Sequence, residues 1–157
     1  MQKLSFLNTR DRKEVSEMIG SQWGAKLGDS FVFLINDKKD TLYIFSRDVE
    51  KIDISALHID TLGLYFAEVI KDERRKELRL SMEGSQIIGH LASKNIVEID
   101  AKDAKHWLAG ENVFNKSEAE GWVIVKSGED FLGCGRVKEK IVLNYVPKAR
   151  RIAADSF

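Results

Sequence analysis

One proline, one cysteine and three histidines among 157 residues, with equal numbers of acidic and basic side chains, are the scarcities of this sequence. Cys134 has no partner for an internal disulfide, and His58, His90 and His106 are too scattered to assemble a zinc-ligand spacing. No apolar run approaches the roughly 20 residues of a membrane span. The opening MQKLSFLNTRDRKEV turns charged before a signal-peptide core could form. The expectation is a cytoplasmic protein with no membrane partner, no metal and no cofactor.

What is present reads as a globular chain. A composition of 43% hydrophobic and 32% charged residues is ordinary for a soluble fold, and the length allows one medium domain or two small ones. Asn8, followed three residues later by Asp11, marks a helix start, after which Val15, Met18, Ile19 and Trp23 recur at helical spacing up to Gly20–Gly24. FVFLIN and TLYIFS flank DKKD as a hairpin would, and a short helix is expected after Ser46 with Val49 and Ile52 inward. LGLYFAEVI and ELRLS read as a second hairpin around the solvated DERRK. Ser81 is the expected N-cap of a helix over MEGSQIIGHLA, whose two glycines weaken it.

After ASKN, residues 92–95, the chain becomes a series of short strands, IVEID, GWVIVKS, DFLGCGRV and KIVLNYV, interrupted by the helix AKDAKHWLAG. Strands of this length with one tucked helix predict a small β-barrel that closes its sheet. The expected class is α+β, with residues 1–92 a mixed N-terminal domain and residues 93–157 a barrel domain.

The candidate chemical motifs resolve mostly into structure. GCG at 133–135 lacks the third glycine and the strand-to-helix setting of a nucleotide loop, and reads as a bulge or bend. Cys134 carries no nucleophile signature and reads as a core residue, as do Trp107 and Trp122. The carboxylate pairs Glu118/Glu120 and Glu129/Asp130 lie in hydrophilic turns, where nothing separates their pKa values for catalysis. Tyr145 stays open between burial and a binding role, stacking on a base or a hydrogen bond to a phosphate.

The strongest physical signal is the distribution of charge. From Arg136 to Arg151 stand Arg136, Lys138, Lys140, Lys148, Arg150 and Arg151 against Glu139 alone, a local charge of plus five. Lysines on a solvated edge strand account for Lys138 and Lys140. They account less well for Lys148, Arg150 and Arg151, which follow Pro147 in NYVPKARR. Clustered cations release counterions on meeting phosphates, so this window is the expected binding surface for a nucleic acid backbone.

LGLYFAEVIKDERRKELRLSMEGSQIIGHLASKNIVEIDAKDAKHWLAGENV and GWVIVKSGEDFLGCGRVKEKIVLNYVPKARRI together resemble PUA-containing ribosome-biogenesis proteins of the Nip family. The same residues are similar to the C-terminal PUA-like module of Nop/Sun-type rRNA cytosine methyltransferases. The resemblance covers residues 61–152. It implies an α+β N-terminal domain packed on a PUA pseudo-barrel, and RNA binding through Lys126, Arg136, Lys148, Arg150 and Arg151. These 157 residues hold neither a methyltransferase domain nor a catalytic cysteine motif, so methylation is not carried over. Where the methyltransferase-attached module reads arginine-phenylalanine-glutamate-proline-serine-histidine, only the strand and Ser81 remain here, and any role of that loop is not carried over either.

The sequence thus predicts a non-enzymatic protein of rRNA processing or ribosome biogenesis. It grips structured RNA, rRNA or tRNA, without DNA specificity, through Lys126, Arg136, Lys138, Lys140, Tyr145, Lys148, Arg150 and Arg151. Pre-ribosomal proteins or an RNA-modifying enzyme are the expected protein partners. The competing readings are an accessory subunit presenting RNA to a separate methyltransferase or pseudouridine synthase, and an enzyme whose pocket the sequence conceals.

Overall fold

The structure is a computed structural model that describes residues 4–47 and 63–153. The helix expected after Ser46 and His58 lie outside the described residues. The architecture is α+β, with two five-stranded sheets. The first is built from β1 (Leu4–Phe6), β2 (Phe31–Asn36), β3 (Thr41–Ser46), β4 (Leu64–Lys71) and β5 (Lys76–Leu80), in that order and antiparallel throughout. Helix α1 (Thr9–Trp23) packs on one face, burying Val15, Ile19 and Trp23.

Local chemistry sets the ends of α1. The Asn8 side chain accepts the Asp11 amide at 2.8 Å, the N-cap that the spacing suggests. At the other end Gly24 adopts a left-handed φ of 61° and returns its N–H to the Gly20 carbonyl. Gln22 reaches sideways to β5: its side-chain amide donates to the Leu78 carbonyl at 2.9 Å and accepts the Leu78 N–H at 2.8 Å. One side chain therefore completes a sheet edge that would otherwise leave both groups unpaired.

Helix α2 (Met82–Gly89) begins at Ser81, whose hydroxyl accepts the Gly84 amide. Its two glycines, weak for helix propensity, serve close approach. A Cβ on Gly84 would stand 2.2 Å from the Phe66 carbonyl oxygen, and one on Gly89 2.3 Å from the Phe131 ring. Bare backbone at both positions lets α2 press against β4 and the second sheet together.

That second sheet comprises β6 (Ile96–Glu98), β7 (Val113–Phe114), β8 (Trp122–Ser127), β9 (Asp130–Lys138) and β10 (Ile141–Asn144), in the order β6-β8-β9-β10-β7. Helix α3 (Ala101–Leu108), capped by the Asp100 carboxylate on the Asp103 amide, lies between β6 and β7 in the chain and makes β6 parallel to β8. The expected closed barrel is therefore open: among the described residues no ladder joins β6 to β7, the two outer strands. With only three and two residues, they are too short to seal the circle. Pairing between β8 and β9 shifts register between Val125 and Lys126, facing Gly133 with its φ of 140°, so the bulge expected at the GCG stretch falls there.

One sheet draws its strands from residues 4–80 and the other from 96–144, but the larger apolar cluster ignores that division. Trp122, Ile124, Phe131 and Cys134 of the second sheet pack in the same cluster as Phe66, Leu80 and Ile88. A smaller cluster gathers Trp107 of α3 with Val97, Val123, Val125 and Val142 of the second sheet. Trp107 and Trp122 are both core residues, as their apolar settings suggest.

Unfolding should reflect this shared core. In urea the full chain should unfold in one transition by both tryptophan fluorescence and circular dichroism, because the larger core cannot lose one sheet and survive. Gly84→Ala should cost about 2 kcal/mol or more, since the obstructing atom is backbone that cannot rotate away; a midpoint unchanged from wild type would show that α2 can slide.

Candidate nucleic-acid interface

Where the two sheets meet, the side chains are cationic and aromatic. On β5, Arg79 stands directly across the ladder from Glu68 of β4 and pairs with it. Its guanidinium also lies 5.1 Å from the centroid of the Tyr145 ring. Tyr145, one residue past β10, meets Trp122 edge-on at 5.0 Å, and Arg136 of β9 lies over the Trp122 ring at 5.4 Å. The series Arg79, Tyr145, Trp122, Arg136 is thus a continuous alternation of cation and π-face across the junction. Tyr65 adjoins it, packed against Tyr43 at 6.0 Å. Burial first, then the Glu68 carboxylate, raises the pKa of the Tyr65 phenol, while Arg79 lowers it in part.

The structure brings some expected residues together and separates others. Arg136 and Tyr145 belong to the junction, and Lys138 follows Arg136 on the same side of β9, two residues or about 7 Å further along. The strand then turns through Glu139 and Lys140, both at positive φ, so Lys138 and Lys140 form the tip of the β9–β10 hairpin. Lys126 is elsewhere. Trp122 pairs with Arg136 and Lys126 with Phe131, which puts Lys126 about 13 Å along β8 from the junction. There its ammonium lies 5.4 Å from the Phe131 centroid, and His90 meets the same ring edge-on.

The terminal cations divide again. After Pro147 the chain makes a 3-10 turn, Lys148–Arg150. Arg150 pairs with Glu83 in the first turn of α2, and Arg151 donates to the Val146 carbonyl at 3.1 Å while its side chain fills the space above Gly110. Ile152 returns its N–H to the Leu108 carbonyl at 2.9 Å. Asn144 fixes the start of this segment, donating to the Trp107 and Glu111 carbonyls at 2.7 and 2.8 Å and accepting the Val146 N–H at 2.8 Å. Arg150 therefore ties the tail to α2, Ile152 ties it to α3, and Arg151 is engaged by the tail's own Val146 carbonyl. Lys138, Lys140 and Lys148 are exposed and make no ion pair with a described residue.

Sequence reasoning does not single out Arg79, Tyr65 or Glu68. The usable signal is the alternation of ELRL, in which Arg79 is the polar residue pointing away from the core between buried Leu78 and Leu80. Its aromatic partner comes 66 positions later.

Cys134 is buried beneath this surface. Burial pushes its thiol pKa up to about 12, offset in part by a bond from the Leu80 N–H and by the charge of Arg79. Among the described residues no group of three His, Cys, Asp or Glu side chains is placed to hold a metal ion, and no helix is long and apolar enough to cross a membrane.

Comparison with known proteins bears on the same region. Residues 94–152 match the family model described as the methyltransferase RsmF PUA domain. Over 112 residues, 71% of this chain, the sequence is 30% identical to ribosomal RNA small subunit methyltransferase F of Aeromonas hydrophila and 28% identical to that of Aeromonas salmonicida. The chain spans 22% of the length of each of these relatives. The similarity of this chain to the PUA-like module of rRNA cytosine methyltransferases is thereby shown.

The buried thiol offers a direct check of the packing under the site. A native thiol with its pKa near 12 stays protonated at pH 8 and shielded, so Ellman's reagent should label Cys134 only after denaturation. The sign of the linkage is fixed as well. Below the ordinary thiol pKa both states are protonated and this group contributes no pH dependence; above it the unfolded thiol ionises first, so stability falls as pH rises toward 12. Labelling of the folded protein within minutes would contradict this placement.

Proposed function

We propose that this chain is a non-catalytic RNA-binding protein of rRNA processing or ribosome assembly, which holds folded RNA along the junction of its two sheets. The observation that carries the reading is the match of residues 94–152 to an RsmF PUA domain, whose segment includes Trp122, Arg136, Lys138, Lys140, Tyr145 and Lys148. Physical chemistry supports it in two ways. Lys138, Lys140 and Lys148 keep their charges free to meet phosphates, with no described carboxylate to displace. Arg136 and Arg79 are instead pinned over aromatic rings, where a guanidinium is ordered in advance and less side-chain freedom is lost on binding.

An A-form helix hides its base edges in a narrow major groove, so such a surface selects by backbone shape, with RNA sequence secondary. The cytoplasm is the proposed site of action. A second reading has its own support: the relatives matched are named as rRNA methyltransferases, of which this chain spans about a fifth. In that reading the protein presents RNA to a separately encoded modifying enzyme. Affinity purification separates the two, since an assembly factor should sediment with pre-ribosomal particles and an accessory subunit should co-purify with a methyltransferase away from them.

Replacing Lys138, Lys140 and Lys148 by alanine should weaken binding to a structured rRNA fragment to a similar degree across sequences. The plot of log affinity against log salt should become shallower by about one unit for each phosphate that is no longer neutralised. Thermal stability should change little, because none of the three is buried or ion-paired with a described residue. A salt slope equal to that of wild type would remove these lysines from the interface.

A further inference from the structure

We infer that the cavity between the two sheets takes one unpaired RNA base, so that the protein recognises a bulged or single-stranded nucleotide beside a helix. The inference rests on the RNA-binding reading and extends it to the feature of the RNA that is recognised.

The cavity encloses about 130 Å³ under the 3-10 turn, with Tyr65, Arg79, Glu83, Cys134, Tyr145 and Arg150 in its wall. That volume is well below the roughly 300–1,000 Å³ of pockets that enclose a whole small-molecule ligand. A single ring system suits it better than an intact nucleotide, whose sugar and phosphate would remain outside.

Charge points the same way. Both guanidiniums in the wall are already matched, Arg79 by Glu68 and Arg150 by Glu83, so the lining carries no net positive charge to attract a free phosphate. Glu83 would repel one directly. A base is neutral and planar, and gains from rings and fixed polar groups rather than from field strength.

The rings are in place. Tyr145 lines the cavity and is still 38% exposed, so it touches both the interior and the solvent from which a base would arrive. Arg79 over one face and Trp122 against the edge hold its orientation before any ligand binds. Tyr65, its phenol pKa raised by burial, stays a neutral hydroxyl at physiological pH and can pair with a base edge. Outside, Lys148 follows Pro147 directly, where a phosphate flanking an inserted base would pass.

The test uses the full chain and three RNA hairpins of one sequence, compared by fluorescence anisotropy at one salt concentration. One hairpin is fully paired, one has a single-nucleotide bulge, and one has the same bulge with its base removed. The bulged hairpin should bind about tenfold tighter than the other two, the order expected for one base stacked on an aromatic side chain. Tyr145→Leu should abolish the preference for the bulged hairpin over the other two, and Tyr145→Phe should retain most of it. Met82→Phe, which fills the cavity from α2, should abolish it without touching Tyr145, and melting curves confirm that each variant is folded. Equal binding of all three hairpins by wild type, or a preference that survives both Tyr145→Leu and Met82→Phe, would overturn the base pocket and leave the RNA reading standing. Failure to bind any of the three overturns both.

Discussion

A helix whose last turn ends in the interior must hand its free carbonyls to donors, and the way α1 does so governs the rest of the molecule. The Trp23 carbonyl accepts the Ser93 and Lys94 amides at 2.9 and 3.2 Å, the Gly24 carbonyl the Ser93 hydroxyl at 3.0 Å, and the Gln22 carbonyl the Asn95 side chain at 2.6 Å. Asn95, held at a positive φ of 56°, turns its own carbonyl to the Ile124 amide and its side-chain oxygen to the Glu120 amide. The segment between the sheets is therefore a cap, bonded to α1 on one side and to β8 on the other. With Gln22 closing the β5 edge and Cys134 meeting the Leu80 amide, the sheets join through groups that neither could leave unpaired.

Function depends on that joint because the candidate surface belongs to neither sheet alone. Arg79 comes from β5, Glu83 from α2, and Trp122, Arg136 and Tyr145 from the second sheet and its exit. Successive members of the series Arg79, Tyr145, Trp122 and Arg136 lie 5.0 to 5.4 Å apart, an arrangement that requires the larger core to be intact. A flexible linker between two independent domains would have to order these groups upon each RNA encounter, at a cost of about 0.5–1.5 kcal/mol per immobilised side chain. A shared core removes most of that cost during folding.

The sequence disclosed what local rules govern. Asn8 and Ser81 cap helices through bonds three residues away, and the hairpins of β2–β3 and β4–β5 follow from alternation around polar turns. Strands β1 and β7 escaped because three and two residues carry no period. The open side of the second sheet escaped for a related reason, since closure depends on how far short outer strands reach. Charge was legible as a count and not as a field. Arg150 and Arg151 look free in NYVPKARR, yet Glu83, 67 residues before Arg150, pairs with Arg150, and the Val146 carbonyl accepts from Arg151. Arg79 gives the converse case, a residue that looks like ordinary strand surface until the fold lays Tyr145 beneath it.

The division of the cations into two kinds then carries a consequence for recognition. Lysines at an exposed hairpin tip and on the terminal turn act as mobile point charges that follow any phosphate string, and their contribution is screened as salt rises. Guanidiniums fixed over rings at the junction are ordered and partly shielded, so their contribution depends on whether the RNA presents a matching shape. Lys126, about 13 Å along β8 from that junction, lies where a partner spanning more than one backbone turn could reach it. On the proposed RNA-binding reading, such a surface would draw RNA in through the lysines and discriminate among RNAs at the arginine-aromatic series, so that a chain of zero net charge would hold a polyanion by where its cations are placed.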